Sequence, residues 1–543
     1  MIATIANRVK HFLSDKNITL AIILLAILGR IIQLIYFFNI RVDGMYQHMA
    51  TLNFVTGHGI STDHALPGDL STTVYEPLIN WPPGYSLLLS PFYIIFNHNY
   101  IAAGLTIDIL AAIILIITCR RILHLLEIPL YLVNIFTLLT GFFIYYFYFI
   151  ASSDAVAITF FIIALYFTVL LFKRNQFAVK ITSAIFLCLF LSGLVKYLFI
   201  PIVFIVPVFI FLKGHIEKST ALKKTGVITF SLLTLTLATV LLYQKHISGS
   251  VAYISEPIRG FFPENLRDAW PVYPASFIKP DTIGLIFPSA VFTIIRIFQA
   301  LNLLIFGGAL LYMIRHITMK GFKKISTHDS FLYLTFFLSA GITLLLLLLS
   351  LRVAKEENFP SHLWTYIEDP RYYGLINVAL HLCVFVGYQY YHILKTKALK
   401  IFVFSLLVLM LPETFRGIFF TARRVVNFKK EEYLWQAEYS IQKYADDIIQ
   451  KEHAKLPASN ALVTGSSFYL NNRVSIYSHI HTLTEVEKIN DLFSLNTKKP
   501  VLLLVILQEK DLPRFLPFLS DKQKEFAGYF RGFYFYTTHV NPH

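Results

Sequence analysis

The sequence predicts an α-helical membrane protein of many passes followed by a small α/β domain, and three observations carry that expectation. Of 543 residues, 56% are apolar and only 15% charged, and the mean hydropathy is +0.61, which lies outside the range of an ordinary soluble domain. Apolar runs of near-spanning length recur from residue 18 to about residue 418; a bundle of membrane helices needs them and a soluble core does not. Beyond about residue 424 the pattern changes to short alternating apolar and polar segments. The chain therefore divides into a transmembrane part, 1–424, with a first external loop over 40–99, and a small soluble part, 425–543.

In chain order, spans are expected near 18–39, 100–119, 130–149, 154–172, 178–196, 198–213, 225–243, 286–314, 330–351, 372–392 and 400–418, about eleven in all. The first run follows basic residues, as in a signal peptide. It continues through Arg30 to Phe38 without a small-residue cleavage site, so it reads as a retained first helix. Cys119, Cys188 and Cys383 lie far apart in apolar segments, which indicates packing residues rather than a disulfide framework or a zinc site.

The formal charge of +15 would fit nucleic acid in a soluble protein, but its distribution gives a different reading. With the N-terminus inside, the cytoplasmic segments hold nineteen Lys and Arg, and the opposite segments hold nine. This is the asymmetry that orients membrane proteins, and it excludes a nucleic-acid partner as the reason for the charge. An odd number of spans then places the tail outside, in the periplasm if the membrane is a bacterial inner membrane. Nearly all the long connections fall on that face, and long connections in compact bundles tend to carry function.

Within the first external loop, Asp43, Tyr46, Gln47, Ala50 and Phe54 share one helical face, as in a short interfacial helix ending near Gly57. Pro82 and Pro83 then suit a second helix start, and Trp81 and Tyr85 suit a membrane interface. Together the two in-plane helices would form a ledge holding Asp43 over the membrane; a merely wet surface helix is the bland alternative. Asp154 and Lys196 sit at outer helix ends, where they can face an external site without deep burial. Arg371 and Tyr372 open a late helix, where a guanidinium and helix-terminal N–H groups suit an oxyanion; a solvated cap is the alternative. Arg30, Asp108 and Arg296 fall inside apolar runs, where a charge costs on the order of 2.5–3.5 kcal/mol. Arg30 and Asp108 could pair across the first two helices, and the two readings are a structural ion pair and a substrate contact. His48, His58, His64, Glu76 and His362 are metal candidates by location only, because their spacing matches no metal motif.

The tail alternates a polar helix (430–452), a strand "NALVTG", a helix "TEVEKINDLF", a strand "PVLLLVIL", a helix near 521–528 and an aromatic strand "GFYFYTT", which suggests an α/β domain. "TGSS" lacks a glycine-rich phosphate fingerprint, and "HIH" at His479–His481 reads as a solvated loop or a metal pair.

The order of "DGMYQHMATLNFVTGHG", "PPGYSLLLSPFY", "SSDAVAITFFIIALYF", "GLVKYLFIP" and "DPRYYGLINVAL" resembles the bacterial polyprenyl-phosphate-sugar glycosyltransferases of the GT-C class, relatives of protein mannosyltransferases and of the aminoarabinose transferase of lipid A. The resemblance covers roughly residues 18–420. It implies a GT-C-like bundle in the cell membrane, a polyprenyl-phosphate sugar donor and a lipid, protein or glycan acceptor. By position it makes Asp43 the catalytic aspartate, Lys196, Arg371 and Tyr372 the donor-phosphate contacts, and Asp154, Tyr46, Gln47 and Tyr85 acceptor-side or orienting residues. It also implies single displacement with inversion. Gly44 follows Asp43 where many relatives carry a second acid, so a role for two adjacent carboxylates is not supplied. Some relatives use a divalent metal, for which His58, Glu76 and His362 are weak candidates. A transporter or flippase of a lipid-linked glycan would use Arg30, Asp108 and Arg296 as a pathway, but no internal repeat is visible. A glycan polymerase or ligase would share the external site.

Overall fold

In the computed structural model, residues 1–7, 144–152, 250–259, 308–325, 353–369, 428–433, 456–459, 483–496 and 514–523, with isolated positions elsewhere, chiefly between 264 and 306, lie outside the described residues. The remainder is mostly helical. Seven described helices are long and apolar enough to cross a membrane: Lys16–Tyr36, Tyr100–Leu125, Ser153–Arg174, Phe199–Ile216, Thr220–Ser248, Thr327–Arg352 and Val403–Val426. Leu130–Phe142, Val179–Val195 and Gly374–Tyr390 are shorter apolar helices. All of them fall where apolar runs predict spans; the expected span at 286–314 lies mostly outside the described residues.

The chain forms two compact units, one of Met1–Leu34 with Asp108–Asn427 and one of Ile35–Ile107 with Phe428–His543. The first is the helical bundle. In chain order it contains α1 (Lys16–Phe37, whose last turn passes out of the unit), α4 (Tyr100–Leu125, mostly within it), α5 (Leu130–Phe142), α6 (Ser153–Arg174), α7 (Val179–Val195), α8 (Phe199–Val203), α9 (Ile205–Ile216), α10 (Thr220–Ser248), α11 (Thr327–Arg352), α12 (Gly374–Leu394) and α13 (Lys397–Val426). Large apolar side chains such as Leu24, Leu28, Leu235, Leu242 and Leu344 remain exposed on the bundle, as lipid-facing positions require. Close packing relies on small residues. A Cβ on Gly29 would come within 2.4 Å of the Phe142 ring, one on Gly141 within 2.5 Å of Ala26, and one on Gly417 within 1.7 Å of the Phe142 carbonyl oxygen. Three helices, α1, α5 and α13, thus approach to backbone distance around Phe142.

The second unit begins with α2 (Val42–Val55), the hairpin β1 (Ser61–Leu66) and β2 (Asp69–Pro77), and α3 (Gly84–Ile95). It is completed from the tail by α14 (Leu434–Lys455), β3 (Asn460–Gly465), α15 (Phe468–Ser478), β4 (His481–Thr482), β5 (Val501–Gln508), β6 (Lys524–Phe530) and β7 (Phe533–Val540). The sheet order is β4-β3-β5-β7-β6, with β3 parallel to β4 and β5, and β7 antiparallel to β5 and β6. Strand β5 is the unbroken apolar run "VLLLVIL" and is buried along its length, as a strand covered on both faces must be. One face carries Ile441, Ala445 and Ile449 of α14 and Leu470 and Val474 of α15. The other carries Ala65 and Leu70 of the hairpin against Leu462, Leu503 and Val505. The segment between α1 and α4 and the tail are therefore halves of one hydrophobic core.

Three features depart from expectation. The helix expected at 521–528 is strand β6, which pairs with β7 across Arg531 and Gly532. Both turn residues have positive φ, 51° and 84°, the requirement of a type I′ hairpin, so a strong turn overrides the local propensity. Helix α15 and the β1–β2 hairpin were not expected. The hairpin's cue is the alternating burial of "STDHAL" before Pro67-Gly68-Asp69, where Gly68 has φ 91°. The helix expected over "TEVEKINDLF" lies outside the described residues.

Candidate active site

In the bundle, the ends of three helices converge on one ion pair. Asp154 lies in the first turn of α6 and Lys196 is the C-cap of α7, where φ −143° and ψ 121° end the helix. Each charge therefore complements the dipole of its own helix. Ser192 Oγ donates to the Ala157 carbonyl at 2.9 Å and sets the two ends side by side. Lys196 Nζ reaches both Asp154 carboxylate oxygens at 2.9 Å and sits 5.4 Å from the centre of the Tyr372 ring, within cation–π range. Next to it, Gln244 Nε2 donates to the Tyr197 hydroxyl at 2.6 Å. Tyr372 belongs to the 3-10 turn Pro370–Tyr373 that leads into α12. The Arg371 side chain lies outside the described residues.

The structure corrects one expectation here. Asp154 and Lys196 are not lightly covered, since their side chains are 1% and 8% exposed. Burying two charges is tolerable because each satisfies the other; removing one partner from such a pair costs about 3–5 kcal/mol.

Deeper in the same unit, Arg30 Nη2 donates to the carbonyls of Thr140 and Phe143 at 2.6 and 3.2 Å. Arg30 and Asp108 line one cavity with Leu34, Ala111, Leu115 and Phe136, of about 60 Å³.

In the second unit, α2 presents Asp43 in its first turn, half-buried, with half-buried Tyr46 one turn on. The Tyr46 ring stacks on Trp81 at 5.2 Å. Gln47 is fully buried, which rules out the alternative of a merely wet face at this position, and neither amide atom has a hydrogen-bond partner among the described residues. Its carbonyl accepts from Ser86 Oγ of α3 at 2.9 Å. Tyr85 is also fully buried, with its ring edge-on to His48 at 6.3 Å. His48 Nδ1 lies 2.6 Å from the Tyr93 hydroxyl, and burial pulls its pKa from 6.5 to about 3. The helices expected at 43–57 and from Pro82 are present as α2 and α3. They are packed into a folded unit and do not form a bare ledge.

No protein-family model matches the chain, and no curated protein matches it. Among solved structures, it is similar to ArnT from Cupriavidus metallidurans bound to undecaprenyl phosphate, at 13% identity and TM-score 0.47 over 96% of this chain and 98% of that one. It is also similar to the apo Archaeoglobus fulgidus oligosaccharyltransferase, at 10% identity and TM-score 0.49 over 92% and 70%. The archaeal oligosaccharyltransferase AglB from the same organism, in complex with an inhibitory peptide and a dolichol-phosphate, matches at 11% and 0.46 over 91% and 70%.

His58 stacks on Tyr75 with ring centres 4.0 Å apart, and Glu76 lies 3.7 Å from His64. His362 lies outside the described residues. Among the described residues no three His, Cys, Asp or Glu side chains are grouped to hold a metal ion.

One long-range contact escaped the sequence reading. His481 Nδ1 donates to Asp63 Oδ2, and Asp63 Oδ1 accepts from Asn53 Nδ2 at 2.9 Å. Partners 418 residues apart leave no local periodicity to read.

Proposed function

We propose that this chain is an integral membrane glycosyltransferase that moves a sugar from a polyprenyl-phosphate-linked donor to an extracytoplasmic acceptor. The observation that carries the reading is the buried Asp154–Lys196–Tyr372 cluster at the ends of three helices, preceded in the chain by Arg371. A carboxylate and a ring hold the Lys196 ammonium in one place, and Arg371 adds a second cation at the same helix start. Fixed cations of this kind stabilise the charge that develops on a departing phosphate.

In the proposed reaction the acceptor oxygen attacks the anomeric carbon while the bond from that carbon to the phosphate oxygen breaks. Asp43 takes the acceptor proton as general base, the polyprenyl phosphate leaves with its charge balanced by Lys196 and Arg371, and the sugar is inverted. Asp154 orients Lys196. The stacked Tyr46–Trp81 pair lies one helical turn from Asp43 and offers a flat apolar face for the acceptor side. No metal is assigned a step.

The test is sugar transfer in vesicles supplied with a lipid-linked donor. Asp43→Asn should insert normally and lose at least about a hundredfold in kcat, and Lys196→Ala should weaken donor use more than acceptor use. Full activity in Asp43→Asn would sink the assignment of the base.

A further inference from the structure

The tail grips both ends of the helix that carries Asp43. At the start of α2, Arg473 of α15 donates from Nη2 to the Ile40 carbonyl at 2.5 Å, three residues before Asp43. Arg473 is 7% exposed. A buried guanidinium is expensive unless its donors are used, so committing one to the entry of a helix is a costly way to close a loop and an effective way to fix it. At the far end, Asn53 in the last turn of α2 donates to the Ser61 carbonyl at 2.8 Å and to Asp63, and Asp63 accepts from His481 at the start of β4. The edge of the Tyr75 ring meets the His481 ring at 6.4 Å and limits its rotation.

Arg473 and His481 belong to one short stretch of chain, α15 and the turn after it. The points they hold, Ile40 just before α2 and Asn53 in its last turn, bracket a helical span of about 16 Å from Val42 at ~1.5 Å rise per residue. Two anchors at that separation set the axis of α2, and the Ser86 bond to the Gln47 carbonyl sets its rotation. A general base must be held to within about 0.5 Å of its working place, and a misplacement of about 1 Å costs about a hundredfold in rate.

We infer that Arg473 and His481 are positioning residues for Asp43, so that the tail acts as a two-point clamp on the catalytic helix. The inference rests on the reading of Asp43 as the general base, but the clamp itself is measurable without that reading.

The test combines steady-state kinetics with amide hydrogen exchange on the full-length protein in detergent, using Arg473→Met, Arg473→Lys and His481→Gln. In Arg473→Met, kcat should fall about 10–100-fold with the donor KM within about threefold. Exchange over 42–55 should quicken while β5 and β7 keep their protection, and Arg473→Lys should recover part of both. His481→Gln should quicken exchange in the last turn of α2 and lower kcat in the same manner. Unchanged exchange over 42–55 with kcat within twofold in both Arg473→Met and His481→Gln would overturn the clamp. If Arg473→Met loses protection in β5 as well, it has unfolded. His481→Gln then decides on the same two readouts, because the His481 side chain is 26% exposed and tolerates replacement. Absence of sugar transfer in the unaltered protein would overturn the proposed function, and the exchange pattern would still decide the clamp.

Discussion

His48 shows how a single buried side chain ties this protein to pH. It is fully buried, its Nε2 has no hydrogen-bond partner among the described residues, and burial lowers its pKa from 6.5 to about 3. Below pH 6.5 the unfolded chain takes up a proton at this position that the folded chain refuses, down to about pH 3. Folding stability from this residue is therefore complete above 6.5 and falls as the pH drops, by about 1.4 kcal/mol per unit. Between pH 7 and pH 5 the loss is about 2 kcal/mol, and His48→Phe should flatten that part of the stability curve measured by thermal melting. An equal slope in the variant would assign the acid sensitivity to other groups. Asp43 was legible in the sequence because it follows a spanning run and opens a helical face. Gln47 was legible only as a member of that face; its burial comes from α3, whose packing no local pattern announces.

Among the elements, the crossing of α1, α5 and α13 around Phe142 is the least forgiving. A methyl group on Gly417 would meet a backbone carbonyl at 1.7 Å, and a carbonyl in a helix cannot turn aside as a flexible side chain does. Gly417→Ala should therefore force the helices apart and cost about 1–3 kcal/mol as overpacking, read as a lower melting temperature of the solubilised protein. Gly307→Ala should be nearly silent, since nothing among the described residues lies within 4 Å of a Cβ there; similar losses in both would remove the crossing as the cause. The spanning helices were readable from length and hydropathy, because a bilayer imposes a simple rule on every span. Strand β6 was not, because "KEFAGYF" is short and mixed, and its state is decided by the turn at Arg531-Gly532 and by its neighbour β7.

On the scale of the whole molecule, the order of segments along the chain differs from the order in the fold. The sequence divides at about residue 424 by composition, and composition is blind to which polar segments share a core. Ala65 and Leu70 pack with β3 and β5, Asn460 Nδ2 donates to the Ser71 carbonyl at 2.7 Å, and the Lys498 backbone N–H donates to Asp69 at 3.1 Å. The segment between α1 and α4 is thus a structural partner of the tail. A protease site inserted near residue 430 should, once cut, leave two fragments that migrate together through gel filtration in mild detergent. A tail fragment that elutes alone would contradict the shared core.

The hairpin at Ser61–Pro77 also sets a problem in time. Its apolar side is covered by strands that the ribosome makes nearly 400 residues later; Asn460 and Ser71 are 389 positions apart. At about 5–20 residues per second, the hairpin waits roughly 20–80 s for its cover while the helices between are inserted. Throughout that interval Ala65 and Leu70 are open to any other extended chain nearby. Newly made copies of this protein should therefore depend on a holding chaperone on the side of the membrane where the hairpin emerges, and overproduction should fail by aggregation there before it fails at insertion.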